Sequence, residues 1–238
     1  MKLYAVWTLA AIMALADGAD ANRFGRGGAF RLEYSTDSFG VRSHGVIEGN
    51  GTKVYPLPQS SLEEYIRLRP ADIKMNPIAA TAGRYERQEV IGPHQVVGNR
   101  LWFGNNFYDG EGDRGVGAFG YFDTETRRYT MFSPPEVAPF EISAILVEPN
   151  TVWLGLDVFT EDISTIPGGL AQWDMATHAI RKYPLEFAVA RITREGNSLR
   201  LTTRGGYAML TGGKVQRFQT DKMGTIPIAR FPPPPSHY

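Results

Sequence analysis

Hydrophobic and polar residues in the second half of the chain alternate over short segments, a pattern that predicts β-strands rather than helices. Residues 197–203 begin at a turn and place Leu199 and Leu201 on one face of a strand. Residues 152–155 form a short apolar run, which suits a strand covered on both faces. Asp174 begins a turn into a further strand at 180–183, because its side chain can accept a hydrogen bond from the backbone two residues on.

This pattern recurs at a nearly fixed interval. Residues 91–132 align with 142–183 without a gap at a shift of 51 residues, which places Trp102 on Trp153 and Asp123 on Asp174. A third copy begins at Ile192, 47 residues after Ile145. Residues 45–48 and 53–55 are a fainter copy of 120–123 and 128–130. A period of about 40–50 residues indicates a propeller or another repeat array.

Each repeat unit contains four predicted strands, and four-stranded sheets at this period are propeller blades. We therefore predict an all-β fold: a small β-propeller of four to five four-stranded blades, irregular or incomplete as a ring. The repeat domain spans residues 22–230, with an irregular segment at 58–90. Within that segment, Ser61 and Glu64 form a capping box that predicts a short helix ending before Pro70.

Several motifs resemble known propeller repeats. Asn-Thr-Val-Trp-Leu-Gly-Leu at 150–156, followed by Gly-Gly-Leu-Ala-x-Trp-Asp at 168–174, resembles the repeat of two-component-regulator-type sensor propellers. Residues 192–206 are similar to the same repeat, except that Arg200 stands at the tryptophan position. Leu-Trp-Phe-Gly at 101–104 also resembles the virginiamycin B lyase type of propeller. These resemblances imply a fold and leave the function open, because unrelated activities share propeller folds.

The two ends of the chain differ from the repeats. Residues 1–21 have a basic start, an uncharged and mostly apolar run at 3–16, and a small-x-small pattern ending at Ala21, which predict a cleaved signal peptide. The apolar run is shorter than the roughly 20 residues that span a bilayer, so we predict a secreted or periplasmic protein without a membrane association after cleavage. Residues 231–238 form a proline-rich tail of the polyproline II type.

Composition narrows the classes of function. The chain has 25 Lys+Arg and 25 Asp+Glu and therefore no net charge, which argues against a nucleic-acid partner. It has no cysteine, which excludes disulfides, thiol nucleophiles and cysteine-based metal sites. If the propeller ring is open, its exposed blade edges would also allow oligomers to form.

Two acidic segments at equivalent repeat positions are the best candidates for a binding surface. Both connect predicted strands, so we expect them to emerge as loops on one face. Asp109, Glu111 and Asp113 alternate as in loops that bind hard cations, which makes Ca²⁺ the one cofactor candidate. The EF-hand pattern fails, however, because Arg114 replaces its glycine, and a solvated turn is the alternative. The full set of ligand-loop candidates is Asn105, Asn106, Asp109, Glu111, Asp113, Asp157, Glu161 and Asp162.

His94 is the one candidate for a central channel, where it would be either a catalytic group or a hydrogen-bonded structural residue. No local zinc motif, nucleophile elbow or nucleotide-binding loop occurs in the sequence. Trp102, Trp153 and Trp173 could stack on sugars, but their equivalent repeat positions favour packing between blades.

Two functions follow as hypotheses. The first is an exported, non-catalytic recognition or scaffold propeller that binds a protein, small-molecule or glycan partner through loops on one face. The alternative is a propeller enzyme of the lyase or lactonase type with a metal in the central channel. The enzyme requires His94 together with at least two carboxylates at one channel mouth, so the composition of that channel discriminates between the two hypotheses.

Overall fold

The computed structural model describes residues 23–37, 40–49, 51–59, 89–108, 113–138, 140–159, 165–203 and 206–219. The predicted signal peptide, the helix predicted to start at Ser61 and the proline-rich tail lie outside these ranges. Regular helix within them is limited to one 3₁₀ turn, Arg26–Gly28. None of the described segments is a helix long and apolar enough to cross a membrane.

The described residues form four antiparallel sheets of four strands each. The first sheet contains β1 (Arg23–Phe24), β2 (Phe30–Asp37), β3 (Gly40–Glu48) and β4 (Lys53–Pro56). The second contains β5 (Glu89–Val97), β6 (Arg100–Tyr108), β7 (Asp113–Asp123) and β8 (Arg128–Phe132). The third contains β9 (Glu141–Glu148), β10 (Thr151–Phe159), β11 (Thr165–Asp174) and β12 (Ile180–Tyr183). The fourth contains β13 (Arg191–Glu195), β14 (Ser198–Thr203), β15 (Gly206–Thr211) and β16 (Lys214–Gln219).

Each sheet is a meander in which consecutive strands pair, as expected for a propeller blade. The extensive contacts between described sheets join sheets that are consecutive in sequence, and β9 contacts both β5 and β13. The prediction of a small all-β propeller with four-stranded blades is therefore confirmed. The first sheet follows the same repeat, because the fainter copy at 45–55 corresponds to its strands β3 and β4.

Repeated turns close the last hairpin of the second and third sheets. Asp123 accepts hydrogen bonds at Oδ1 from two backbone N–H groups, two and three residues on, each at 3.0 Å. Asp174 makes the equivalent bonds at 3.0 and 2.7 Å. These bonds favour the ionised carboxylate, and they lower the pKa of Asp174. The predicted aspartate turns are confirmed.

Three hydrophobic cores lie between consecutive sheets. The first joins Phe30 and Val46 to Leu101 and Phe122. The second packs Trp102 and Phe119 of the second sheet against residues of the third, including Trp173. The third packs Trp153 and Leu170 against the fourth sheet. Because each core needs two sheets, no blade buries its apolar faces by itself.

The repeated tryptophans are packing residues. Trp102, Trp153 and Trp173 are 4%, 7% and 2% exposed, so their rings are not available for stacking on a sugar. Arg200, at the tryptophan position of the fourth sheet, places its guanidinium over the ring of Tyr207 at 4.1 Å. A stacked cation thus takes the place of the indole in the fourth sheet.

Candidate functional site

The inner edges of three consecutive sheets line an open cleft. β5, β9 and β13 each pair with only one strand, the second strand of their own sheet. Their other edges face a cleft of about 530 Å³. The cleft is lined by Pro93, His94, Gln95, Ala144, Ile145, Leu146, Ala190, Arg191, Ile192, Thr193 and Arg194.

The lining follows the sequence repeat. Residues 93–95, 144–146 and 191–193 are equivalent by the shifts of 51 and 47 residues, so the second, third and fourth sheets each present the same three positions to the cleft. Their identities differ: the first of the three is Pro93, Ala144 or Arg191. The scaffold of the cleft is therefore repeated, while its chemistry is specific to each blade.

Two of the three ionisable residues that line the cleft are arginines on β13. Arg194 donates from Nε to Oε1 of Glu148 at 2.7 Å, and a second guanidinium N–H reaches the other carboxylate oxygen. Glu148 also accepts a bond from Nε1 of Trp153 at 2.9 Å. The Arg194 hydrogen bonds lower the pKa of Glu148 and, in return, raise the pKa of Arg194. Arg194 is therefore oriented and neutralised by Glu148.

Arg191 differs from Arg194 in its surroundings. Its side chain is exposed, and among the described residues it forms no ion pair with a carboxylate. Thr193 follows on the same face of β13, because side chains alternate along a strand. The guanidinium group of Arg191 and the hydroxyl of Thr193 therefore lie on one side of the cleft.

His94 lies in β5 and lines the opposite part of the cleft from β13. Its Nδ1 is 3.1 Å from the carbonyl oxygen of Gly92. When Nδ1 carries the proton and donates to this carbonyl, Nε2 is the nitrogen left for a ligand. His94 thus lines the cleft and makes a local hydrogen bond of the kind expected for a structural histidine, while its place in a central channel stays a prediction.

Side-chain amides join neighbouring blades at three places, one beside the cleft and two away from it. Gln95 accepts at Oε1 from the Val147 N–H at 2.8 Å and donates from Nε2 to the Val147 carbonyl at 3.2 Å. Asn106 makes the same pair of bonds to Ile142, at 3.1 and 3.2 Å. Gln59 does so with Glu89, at 2.7 and 3.3 Å. We name these three interactions amide clamps. Each one supplies the donor and acceptor that a neighbouring strand would provide.

The clamp on Val147 also reveals the orientation of the β9 backbone. Since the Val147 peptide groups bond to Gln95, they are directed away from β10. Peptide groups alternate along a strand, so those of Ile145, two residues earlier, face the cleft as well. The floor of the cleft therefore offers backbone donors and acceptors in addition to side chains.

The predicted loop residues that the structure describes lie in strands. Asn105 is 1% exposed within β6, and its Nδ2 donates to Glu89 on β5. Asn106 forms an amide clamp. Asp157, the equivalent of Asn106 at the shift of 51 residues, is buried in β10. Their placement in ligand-binding loops is corrected: the strands extend further than the apolar pattern suggested, and these side chains lie within or between blades.

The remaining acidic candidates are outside the part of the chain whose side chains are described. Asp113 begins β7, and only its backbone is described. Asp109, Glu111, Glu161 and Asp162 lie in the gaps at 109–112 and 160–164. Both gaps connect the second strand of a sheet to its third, as expected from the repeat. The proposal of Ca²⁺ binding at Asp109, Glu111 and Asp113 stays a prediction.

The described residues do not provide the ligand set that the metal-dependent enzyme requires. Among them, no group of three or more His, Asp and Glu side chains is close enough to hold a metal ion. The residues that line the cleft include His94 and two arginines but no carboxylate. The convergence of His94 with two carboxylates that the enzyme hypothesis requires is therefore not found in the described part of the cleft.

Four meander sheets packed through their faces, with three inner strands around one cleft, define a protein of the β-propeller class. No family model matches the chain, and no curated protein matches it in sequence. The chain is similar to solved extracellular domains of B. thetaiotaomicron, one from a putative hybrid two-component system and one from a putative one-component system. It is also similar to the Nup133 β-propeller domain of Vanderwaltozyma polyspora.

These similarities are distant. The two bacterial domains are 12% and 11% identical, with TM-scores of 0.30 and 0.29, and each alignment covers 84% of this chain. The Nup133 domain is 12% identical, with a TM-score of 0.21 and a coverage of 75%. The chain spans 29%, 34% and 50% of the length of these three structures. The resemblance to the virginiamycin B lyase type is not confirmed by these comparisons.

Proposed function

We propose that this protein is an exported, non-catalytic propeller that recognises a small ligand in the cleft between β5, β9 and β13. The observation that supports the proposal is the cleft itself, whose volume of about 530 Å³ suits a small molecule. It combines apolar side chains such as Ile145 and Leu146 with the polar groups of β13 and with free strand edges. Such a mixture binds and orients a ligand.

The composition of the cleft favours binding over catalysis. General acid–base catalysis uses a pair of groups with different proton affinities, and metal-assisted catalysis uses converging carboxylates or histidines. The described lining supplies one histidine and two arginines, one of which Glu148 already neutralises. The loop face stays a second candidate surface for a protein or glycan partner, on the strength of its sequence alone.

A ligand screen tests this proposal directly. The purified mature chain is screened by thermal shift against small carboxylates, inorganic phosphate, neutral sugars, Ca²⁺ and Zn²⁺. Ala190 is exposed and lines the cleft, so Ala190→Trp fills it. Ala176 is exposed in the turn after β11, so Ala176→Trp is a matched control. A ligand present at 100 times its Kd stabilises the fold by about 2.7 kcal/mol, which corresponds to a shift of several degrees.

We expect the ligand-induced shift in the wild-type chain and in Ala176→Trp, and its loss in Ala190→Trp. A shift that survives in Ala190→Trp would place recognition outside the cleft and contradict the proposal. Export is tested separately by the intact mass of the natively expressed protein, which should correspond to a chain starting at Asn22. An uncleaved chain retained in the cytosol would contradict the exported location.

A further inference from the structure

We infer that the ligand of the cleft is an oxyanion, a small molecule that carries a carboxylate or a phosphate group. This inference rests on the proposed function, because it names the ligand class of the same cleft. Every ionisable side chain in the described lining is basic: His94 on β5, and Arg191 and Arg194 on β13. The whole chain carries no net charge, so this bias does not reflect an overall excess of basic residues.

The carboxylates at the ends of β9 and β13 have partners of their own. Glu148 accepts bonds from Arg194 and Trp153, and Glu195 at the end of β13 lies 3.4 Å from an Nη atom of Arg200. Arg191 has no ion-pair partner among the described residues, although its side chain lines the open cleft. A charge in such a recess attracts a counter-ion more strongly than a charge on an open face.

The geometry around Arg191 suits an oxyanion better than a neutral ligand. A guanidinium is a planar fork that can donate two parallel bonds to a carboxylate or a phosphate. Thr193, on the same face of β13, adds a hydroxyl donor. The N–H of Ile145 on the neighbouring strand β9 faces the same cleft and adds a backbone donor. Donors from two strands thus line the cleft that the anion would occupy.

Arg194 and Glu148 have a different role in this arrangement. Their ion pair joins β13 to the end of β9, and it holds the two strands that carry the anion donors. Arg194 is thus a positioning residue, while Arg191 is the residue that contacts the ligand. The distinction is testable because Arg191 is exposed, so its substitution leaves the packing between the third and fourth sheets unchanged.

The test measures binding of citrate, inorganic phosphate and N-acetylglucosamine to the full mature chain by calorimetry at low ionic strength. Citrate and phosphate distinguish a carboxylate from a phosphate ligand, and N-acetylglucosamine is the neutral probe. The variants are Arg191→Gln, Arg191→Lys, the cleft-filling Ala190→Trp and, as a control, Arg128→Gln on the outer strand β8, which lies outside the cleft. The melting temperature of each variant without ligand shows that it is folded.

We expect at least one of the two anions to bind, and Arg191→Gln to weaken that binding about tenfold or more, the range for a charge-assisted contact. Arg191→Lys should retain part of the affinity, and Arg128→Gln should bind like the wild type. Binding of N-acetylglucosamine that Ala190→Trp abolishes and Arg191→Gln does not change would overturn the inference and leave the proposed function intact. Failure of both anions to bind at 10 mM (about ten times the 1 mM Kd of a weak ligand) would also overturn it. If Ala190→Trp changes the binding of none of the three compounds, the proposed function itself fails.

Discussion

The Gln95 amide clamp should make a measurable contribution to the stability of the junction between the second and third sheets. Gln95→Met keeps the length of the side chain but removes both bonds to Val147, the acceptor bond at 2.8 Å and the donor bond at 3.2 Å. A protein hydrogen bond contributes about 0.5–1.5 kcal/mol net, so we expect a loss of about 1–3 kcal/mol. Because Gln95 borders the cleft, water can replace part of the lost bonding and keeps the effect near the middle of this range.

The assay is equilibrium unfolding in urea, supported by calorimetry. For a domain of this size, a loss of about 2 kcal/mol lowers the melting temperature by about 4–8 °C. Gln216 on β16 is exposed and forms no described hydrogen bond through its side chain, so Gln216→Met is the matched control and should stay within about 0.5 kcal/mol of the wild type. If Gln95→Met and Gln216→Met unfold at the same urea concentration, the clamp does not stabilise the junction and the argument from its geometry is wrong.

Three further substitutions test the packing and the electrostatics. Trp173 packs at 4.6–6.3 Å, between ring centroids, against aromatic residues of the second sheet, so Trp173→Ala should cost about 3–5 kcal/mol in urea unfolding. A cost below 1 kcal/mol would contradict its place in the core. A Cβ on Gly120 would overlap the carbonyl oxygen of Thr130, so Gly120→Ala should cost about 1–3 kcal/mol in the same assay. Hydrogen bonds from Arg127, and then from Tyr55, lower the pKa of Glu48 from 4.5 to about 2. Glu48 therefore stabilises the fold above pH 4.5, and this stabilisation is lost as the pH falls toward 2. Melting temperatures measured between pH 7 and 2 should fall less steeply for Glu48→Gln than for the wild type, and identical slopes would refute the assignment.

The strand order of the blades could be predicted because it rests on local patterns that repeat. The alternation around Leu199 and Leu201 and the aspartate turns are short-range signals, and the structure contains them at the predicted positions. The burial of the tryptophans also followed from their equivalence, since residues at equivalent positions pack in equivalent ways. The extension of β6 and β10 into the acidic segments was missed, because polar residues in those strands are buried or bonded instead of facing water: Asn105 donates to Glu89 within its sheet, Asn106 bonds to Ile142 of the next sheet, and Asp157 is buried.

The chemistry of the cleft was harder to predict because it depends on repeat-equivalent positions that hold a different residue type in each copy. The equivalent of Gln95 in the next blade is Leu146, and the equivalent of Arg191 in the two preceding blades is Ala144 or Pro93. A search for residue types that recur at the repeat interval therefore misses both Gln95 and Arg191. One signal was available: once the three copies are aligned, positions 93–95 and their equivalents are the inner strand of each unit, and charged residues there are exceptional. The sequence does not show how closely two blades approach each other. The structure does, and it is this distance that lets the side-chain amide of Gln95 bond to Val147 in the place of a neighbouring strand.

The arrangement of the three cores has a consequence for how the chain reaches its folded state. Each sheet is complete within a short stretch of sequence, and its extensive described contacts are with the sheets just before and just after it. Contacts of this kind keep the loops that must close during folding short, which favours rapid folding. The fourth sheet follows the other three described sheets in the sequence, and the third core needs residues of both the third and the fourth sheet. The strand that carries Arg191 is therefore the last of the three cleft-lining strands to be synthesised.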